Sequence, residues 1–402
     1  MLAAHFANYI VPLLTFPYLA VHLGTYHFGM ISIGTAISFY GVVLIDWGFG
    51  ISGAKLAADT DDKIGISELF WDISISKLMI FPIYIIGAAA YLLVYGGRDI
   101  NIIALIMSIS TVANIINFAW LLQGRQNVGI LTGLTTLFRL SSAPIIFFFV
   151  HGPSDSWKAA LALSWPALAV ALSSIVICKS QGYISHPRVN ISRSLSHLRD
   201  SFSLFVANAS ANIYTTANIL IIGAVYGPYQ TGIYSAADRV RSAAQNLVIP
   251  IGQAAFPQAC RLMKENRSRG FQFARKIMFF QVCLIGLGSL FLILFSHRVI
   301  LTVLGERYVD SEQILKMLLI CPVLVSFSNA VGMQVLLPLG FKDYFAKVRV
   351  FAGAVGLLAA VIAVKWVGFS YVAASTVFAE LVILLSLYFR VRNLGFRIFG
   401  AP

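Results

Sequence analysis

Apolar runs long enough to cross a membrane recur along the whole chain, and they constrain the fold more than any other feature. The 402 residues are 58% apolar and 11% charged, whereas a soluble domain carries about 25% charged residues. A run of about 20 apolar residues has the length of a transmembrane helix. The pattern predicts an all-α polytopic membrane protein with about twelve transmembrane helices, at 3–21, 29–50, 78–95, 101–122, 128–150, 158–178, 202–225, 233–256, 277–295, 313–338, 346–364 and 369–389.

Positive charges in the loops predict the orientation of these helices. The net charge of +13 comes from 29 lysines and arginines against 16 acidic residues. On the predicted topology, nineteen basic residues lie in or beside loops on one side and five on the other. Because basic loops stay in the cytoplasm, we expect both termini there, with these loops near anionic headgroups rather than nucleic acid. Residues 63–77, which alternate charged and bulky apolar side chains, predict an interfacial amphipathic segment.

An internal repeat predicts two lobes of six helices each. Residues 24–29 (GTYHFG) and 227–232 (GPYQTG) share the pattern G-x-Y-x-x-G, and both fall in a short predicted external turn. A weaker echo links Asn114, which precedes WLLQG, to Asn329, which precedes VLLPLG. Because six is an even number, the lobes would have parallel topology, as in many transporters. The predicted division is an N-terminal lobe, a basic cytoplasmic linker, a C-terminal lobe and a basic cytoplasmic tail, at 1–178, 179–201, 202–389 and 390–402.

Arg139 lies at the centre of the apolar run 128–150. Eleven residues separate it from each end of the run, which places the guanidinium about 16 Å from either surface at helical rise. A charge at this depth is rare in a lipid-facing helix and suggests a wet cavity or a functional site. The small polar side chains of the run share the helix face of Arg139, namely Thr132, Thr135, Thr136 and Ser142. Arg139 is therefore the leading candidate for binding a substrate anion.

A second group of charges opens the helix predicted at 233–256. Asp238, Arg239 and Arg241 follow one another near its external end, and an arginine fork suits a phosphate or a pyrophosphate bidentately. In the alternative interpretation, Asp238 neutralises one arginine and the other extends to the membrane surface.

Amides and carboxylates inside other helices are further candidates. Asn208 and Asn212 share one helix face, and Asn114 lies on another polar stripe. They would contact sugar hydroxyls, or they would only join neighbouring helices by hydrogen bonds. Asp46, Asp238 and Glu380 are the candidate ion-coupling groups, because a desolvated carboxylate readily takes up a proton. Alternatively, Glu380 pairs with a helix arginine such as Arg349, and Asp46 is an interfacial carboxylate near Lys55.

Signatures of catalysis are missing from the sequence. It contains no P-loop, no H-E-x-x-H and no G-x-S-x-G. The four cysteines show no metal spacing and lie in or beside apolar runs, at Cys178, Cys260, Cys283 and Cys321. We therefore expect a transporter rather than an enzyme, with no metal site and no cofactor.

Several segments resemble the bacterial O-antigen and polysaccharide repeat-unit flippases of the multidrug/oligosaccharidyl-lipid/polysaccharide exporter superfamily. The segments are 8–20 (NYIVPLLTFPYLA), 46–49 (DWGF), 120–124 (WLLQG) and 334–340 (QVLLPLG). The resemblance covers nearly the whole chain. It implies the fold of that superfamily, a MATE-like V shape in which two six-helix lobes enclose a cationic cavity.

The resemblance also implies a function. A chain of this family would flip undecaprenyl-pyrophosphate-linked oligosaccharide repeat units from the cytoplasmic to the periplasmic leaflet of the inner membrane, for O-antigen, lipopolysaccharide or other surface polysaccharide. The mechanism would be alternating access driven by an H+ or Na+ gradient, and a polysaccharide polymerase and a chain-length regulator would be possible partners. Arg139, Arg239 and Arg241 would then bind the pyrophosphate, as a clamp built from both lobes.

Two other classes of protein remain open from the sequence. A drug or cation antiporter of the same superfamily would have mainly acidic residues in its core, whereas arginines compete with carboxylates here. A membrane polysaccharide polymerase or glycosyltransferase would need a large catalytic loop, whereas the predicted external loops are short.

Overall fold

The structure is a computed structural model that describes residues 2–185, 190–209 and 213–396. Within these ranges the chain is helical, with short connections and no strand. Nine helical segments in the described ranges are long and apolar enough to span a membrane. The predicted all-α polytopic fold is thereby confirmed, and the predicted number of twelve helices is approximate.

Seventeen α-helices make up the described part of the chain. Their bounds are α1 Leu2–Asp46, α2 Phe49–Asp59, α3 Lys63–Tyr95, α4 Arg98–Met107, α5 Ile109–Ile115, α6 Ala119–Gly124, α7 Val128–Phe149, α8 Ser156–Ser180, α9 Ile191–Ala209, α10 Ile213–Asn246, α11 Val248–Glu265, α12 Arg267–Leu294, α13 Ser296–Val303, α14 Ser311–Leu318, α15 Ile320–Val331, α16 Lys342–Trp366 and α17 Val372–Asn393. A π-helical turn, Gly332–Leu336, continues α15.

The chain forms two compact units. The first comprises Met1–Ala209 and Gly227–Gly232, and the second comprises Ser210–Tyr226 and Ile233–Pro402. The predicted lobes 1–178 and 202–389 correspond only approximately to these units, and their boundaries remain predictions.

The two predicted external turns of the repeat are kinks inside long helices. Gly24 interrupts α1 with φ 71°, and Gly227 interrupts α10 with φ 81°. Positive φ is sterically easy only for glycine, so a single glycine redirects the chain at each site without the loop that the sequence predicted at 22–28. The pattern G-x-Y-x-x-G thus encodes a kink at its first glycine.

The second glycine of each repeat packs against the other repeat, within the first unit. A Cβ atom at Gly29 would lie 1.8 Å from the carbonyl oxygen of Pro228, and one at Gly232 would lie 2.0 Å from that of Thr25. Real Cβ atoms do not approach other atoms so closely, so both positions require glycine. The repeat therefore encodes a reciprocal backbone contact between its two copies.

The segment 63–77 is the beginning of α3 rather than a separate helix, and its interfacial location remains a prediction. α3 runs without interruption from Lys63 to Tyr95, and Asp62 caps it by accepting a hydrogen bond from the Gly65 amide. At 33 residues, the helix is about 50 Å long, which exceeds the hydrocarbon thickness of about 30 Å. The charged first turns therefore extend beyond the apolar core of the membrane.

The predicted linker, 179–201, contains the first part of helix α9 (Ile191–Ala209), which packs on the first turns of α3. Arg193 pairs with Glu68 at 2.6 Å, and the Ser76 hydroxyl donates to the carbonyl of Ser194 at 2.9 Å. Trp47 donates from Nε1 to the carbonyl of Leu198 at 2.9 Å. The linker helix is thus fixed to the first unit by specific polar contacts.

The second unit has a continuous apolar core around the end of α15. Buried residues of α12, α15, the π-helical turn, α16 and α17 meet there, among them Met278, Val331, Val335, Ala352 and Leu387. In the first unit, the helix predicted at 101–122 is broken instead, because α5 ends at Ile115 and α6 begins at Ala119. Each unit thus departs from regular α-helix at the equivalent place.

Candidate functional site

Arg139 is exposed on the protein-facing side of α7. The apolar side chains of Ile130, Leu137 and Phe148 are 59%, 59% and 74% exposed, and at about 100° per residue they lie about 160–180° around the helix from Arg139. Ile146, which is fully buried, lies within about 20° of it. Arg139 itself is exposed, although it lies on the packed side of the helix, away from the apolar stripe.

The hydroxyl groups near Arg139 are mostly bound to their own helix. Thr136 donates to the carbonyl of Thr132 at 2.8 Å, and Ser142 donates to the carbonyl of Arg139 at 2.6 Å. Small hydroxyl side chains satisfy themselves in this way inside helices. Of the predicted polar stripe, the guanidinium is therefore the group best able to bind an anion.

In the second unit, Arg241 is buried and paired. It is 5% exposed, and its Nε donates to Asp238 at 2.7 Å. The guanidinium also donates to Gln245 and, at 2.9 Å, to Ser242. The alternative interpretation, in which Asp238 neutralises one arginine, describes this geometry. Arg239, on an adjacent face of α10, is exposed.

Glu380 lies in a buried polar network between α10 and α17. It is 5% exposed and accepts a hydrogen bond from the hydroxyl of Tyr214. Arg349 stacks its guanidinium over the Phe345 ring at 4.7 Å and also interacts electrostatically with Glu380. A carboxylate and a phenol thus share one buried hydrogen bond within the second unit.

Asn218 is the centre of a second group of buried hydrogen bonds between α10 and α17, and the sequence did not single it out. Its amide donates to the Tyr234 hydroxyl at 3.1 Å and to the Thr376 hydroxyl at 2.9 Å. It therefore links the two halves of α10, on either side of the Gly227 kink, to α17. A single amide within a predicted helix does not by itself indicate a buried hydrogen-bond network. The spacing of four residues between Tyr214 and Asn218, which places them on one helix face, was visible in the sequence.

Asp46 lies beside the N-terminus of the following helix, α2. Its carboxylate interacts favourably with the backbone amides of Gly48 and Gly50, in a tight turn where Trp47 has φ 45° and Gly48 has φ 84°. A carboxylate at a helix N-terminus is a common stabilising arrangement. The geometry thus gives Asp46 a structural role beside its predicted role in ion coupling.

Lys77 is a second residue that the sequence analysis missed, because it was assigned to a loop. Its side chain is 1% exposed. The ammonium donates to the carbonyl oxygens of Asn114 at 2.9 Å and Asn117 at 3.3 Å, at the break between α5 and α6, and it interacts electrostatically with Asp46. Lys77 thus supplies a buried positive charge to two backbone carbonyls at the break in the helix.

The predicted amides differ in accessibility. Asn208 is exposed, whereas Asn114 is half-buried and donates to the carbonyl of Val42 at 3.3 Å. Asn114 therefore joins neighbouring helices, as the alternative interpretation had it. Asn212 lies outside the described residues. Among the residues that the structure describes, no group of three or more His, Cys, Asp or Glu side chains could hold a metal ion.

This chain is similar in sequence to proteins that are named for polysaccharide biosynthesis or O-antigen transport. Residues 1–263 match the family model described as "Polysaccharide biosynthesis protein". A protein of Escherichia coli (strain K12) named "Putative O-antigen transporter" is 29% identical over 88% of this chain and 85% of its own length. A protein of Shigella dysenteriae with the same name is 24% identical over 95% of this chain and 96% of its own length.

Solved structures share the fold at low sequence identity. The lipid II flippase MurJ, in an inward closed conformation, has a TM-score of 0.71 at 14% identity and covers 98% of this chain and 88% of its own. An inward-facing multidrug resistance MATE family transporter of the MOP superfamily has a TM-score of 0.67 at 15% identity, with 98% and 99% covered. These neighbours confirm the predicted MATE-like fold. The named relatives and neighbours are transporters and flippases, which confirms the prediction that the chain is not an enzyme.

Proposed function

The chain belongs to the polysaccharide biosynthesis protein family, and from that premise we propose that it flips undecaprenyl-pyrophosphate-linked oligosaccharide repeat units across the bacterial inner membrane. The units would move from the cytoplasmic to the periplasmic leaflet, for assembly of O-antigen or another surface polysaccharide. The names of the two bacterial relatives support this substrate class. The basic loops support an orientation with both termini in the cytoplasm.

The observation that carries the proposal is the exposure of Arg139 on the protein-facing side of α7. Keeping an arginine near the middle of a membrane costs about 3 kcal/mol on insertion scales. A flippase that carries a pyrophosphate past the apolar core needs a cation at this depth. The planar guanidinium can bind two phosphate oxygens at once.

The arginines of α10 divide into two roles in this proposal. Arg239 is exposed and is the candidate for anion binding in the second unit. Arg241 is held by Asp238, and the two opposite charges would stabilise the unit. Arg241 is therefore a weaker candidate for binding the substrate. Exposed Asn208 remains a candidate for contact with sugar hydroxyls.

Coupling to an H+ or Na+ gradient is part of the proposal, and Glu380 is its best-supported group. The carboxylate is buried, it accepts a hydrogen bond from the neutral hydroxyl of Tyr214, and Arg349 and Arg241 interact with it only electrostatically, so uptake of a proton or a cation would relieve part of the cost of a buried charge. Asp238 is paired with Arg241 and Asp46 lies beside a helix N-terminus, so both are weaker candidates. Alternating access would then link this event to export.

Deleting the gene tests the proposed function. Surface polysaccharide should disappear, and lipid-linked repeat units should accumulate. Complementation with Arg139→Ala should restore export to less than about a tenth of the wild-type level, since a hydrogen-bonded charge contributes about 1.5–3 kcal/mol. Arg139→Lys should restore part of it, because the charge survives but the fork does not.

Arg98→Ala is the matched control, because Arg98 is exposed in the same unit, at the start of α4. Export and membrane abundance should both be normal in this variant. Wild-type amounts of surface polysaccharide in the deletion strain, with no other flippase gene present, would refute the proposed function. Full export by Arg139→Ala would remove Arg139 from the mechanism.

A further inference from the structure

Lys77 and Gln281 occupy equivalent positions in the two halves of the chain. Each is the fifteenth residue of its helix, α3 beginning at Lys63 and α12 at Arg267. The two helices are also capped alike, by the side chains of Asp62 and Asn266. The same place in the repeat therefore carries an ammonium group in the first unit and a neutral amide in the second.

Gln281 and Gln334 both point their amide nitrogens at one face of α11. Gln281 donates to the carbonyl of Val248 at 3.4 Å, and Gln334 donates to the carbonyl of Gly252 at 2.9 Å. Carbonyls four residues apart lie one turn apart on the same helix face. Asn329 completes the group, with its amide nitrogen 3.3 Å from where a Cβ of Gly252 would stand. Three amide side chains thus converge on one turn of α11.

The amide oxygens of this cluster are buried acceptors. Gln281 and Gln334 are both 0% exposed, and among the residues that the structure describes, neither Oε1 atom has a hydrogen-bond partner. Leaving a buried polar atom unpaired costs about 1–3 kcal/mol. Since the nitrogens face α11, each oxygen needs a donor or a cation from another direction.

The local backbone is of the kind that binds ions. Gln334 lies in the π-helical turn Gly332–Leu336, and π-turns occur frequently at functional sites. In transporters, carbonyl oxygens at interrupted helices coordinate monovalent cations. In the first unit, Lys77 places its own ammonium against two carbonyl oxygens at the equivalent interruption.

We propose that the cluster of Gln281, Gln334 and Asn329 binds a monovalent alkali cation, Na+ or K+, which takes the place that the Lys77 ammonium fills in the first unit. The oxygens of Gln281 and Gln334, turned away from α11, replace part of the hydration shell of the ion. None of the three side chains is acidic, so the site suits one charge rather than a divalent ion, which prefers carboxylates. The site uses α11, α12 and α15 with its π-helical turn, whereas the Glu380 network uses α10 and α17.

Thermal unfolding of the purified full-length protein in detergent tests the site. The midpoint should be about 2–4 °C higher in NaCl or KCl than in choline chloride of equal ionic strength, because a bound ion stabilises the folded state. Comparing NaCl with KCl identifies the preferred ion. Gln281→Leu and Gln334→Leu should each abolish the difference between salts, and Glu380→Gln should keep it.

Gln281→Lys is the decisive variant, because it rebuilds the arrangement of the first unit. It should unfold at the same temperature in all salts, at or above the wild-type midpoint in choline chloride. A wild-type midpoint that does not depend on the cation would overturn the site and leave a buried water as the occupant. A salt effect that survives in both glutamine variants, or disappears in Glu380→Gln, would also overturn it. No export is measured, so this test is separate from that of the proposed function.

Discussion

The two halves of the chain meet the same physical problem, a helix interrupted inside a membrane, with different chemistry. In the first unit, the ammonium of Lys77 binds the carbonyls of Asn114 and Asn117 at the break. In the second, the helix continues as a π-turn, and the amides of Gln281 and Gln334 bind helix carbonyls instead. Backbone groups in an apolar medium must find partners inside the protein. The comparison shows that a repeat preserves the position that provides the partner while the partner itself changes.

The difference in charge has an energetic consequence. Moving a charge from water into the protein interior is costly, and removing the partner of a buried charge is costly as well. A buried neutral amide costs less in both respects. We therefore expect the first unit to depend strongly on a single side chain, and the second unit to distribute the same task over several.

Lys77→Ala should have the largest effect on stability. The substitution leaves two carbonyl oxygens and Asp46 without their cation, and breaking a buried charged contact costs about 3–5 kcal/mol. The free energy of unfolding in detergent measures the effect. Lys55→Ala, which changes an exposed lysine of α2, should change it by less than about 0.5 kcal/mol. Equal free energies of unfolding for the two variants would show that Lys77 does not stabilise the first unit.

Asn218→Leu should have an intermediate effect. It leaves the buried hydroxyls of Tyr234 and Thr376 without the amide that bonds them, at a cost of about 1–3 kcal/mol. Asn208→Leu provides a control on the exposed surface and should be close to wild type in unfolding. If the two substitutions cost the same, the network does not stabilise the second unit.

Gln281→Leu should have the smallest effect of the three when measured in choline chloride. It removes one long hydrogen bond of 3.4 Å and an unpaired oxygen, so the net cost should be about 1 kcal/mol or less. The reverse exchange, Lys77→Gln, places the amide of the second unit in the first and should cost several times more. A cost of Gln281→Leu that matches Lys77→Ala would show that the two positions are energetically alike.

The helix faces on which the candidate side chains lie could be predicted from the sequence, because they depend on the helical period. Arg139 was placed near the middle of its helix and on a polar face, and the structure puts it on the face opposite the exposed apolar stripe. The pairing of Asp238 with an arginine followed from their spacing of three residues on one helix. Arg239 is only one residue from Asp238 and lies on an adjacent face of the helix.

Lys77 and Asn218 escaped prediction for the same reason. Lys77 was assigned to a loop because a charge ends an apolar run in any hydropathy reading. Its true place depends on carbonyls 37 and 40 residues further along the chain. Asn218 depends in the same way on Thr376, which is 158 residues away. A sequence pattern over one or two helical turns carries no information about such partners.

By itself, the sequence determined the all-helical membrane class, the approximate positions of the helices and the glycine repeat. Each of these follows from local properties, namely apolar length, helical period and the freedom of glycine at positive φ. Only the tertiary structure decided which polar side chains are buried with partners and which stay exposed. The energy of a charge or an amide inside a membrane protein is set by the atoms around it, and distant parts of the chain supply those atoms.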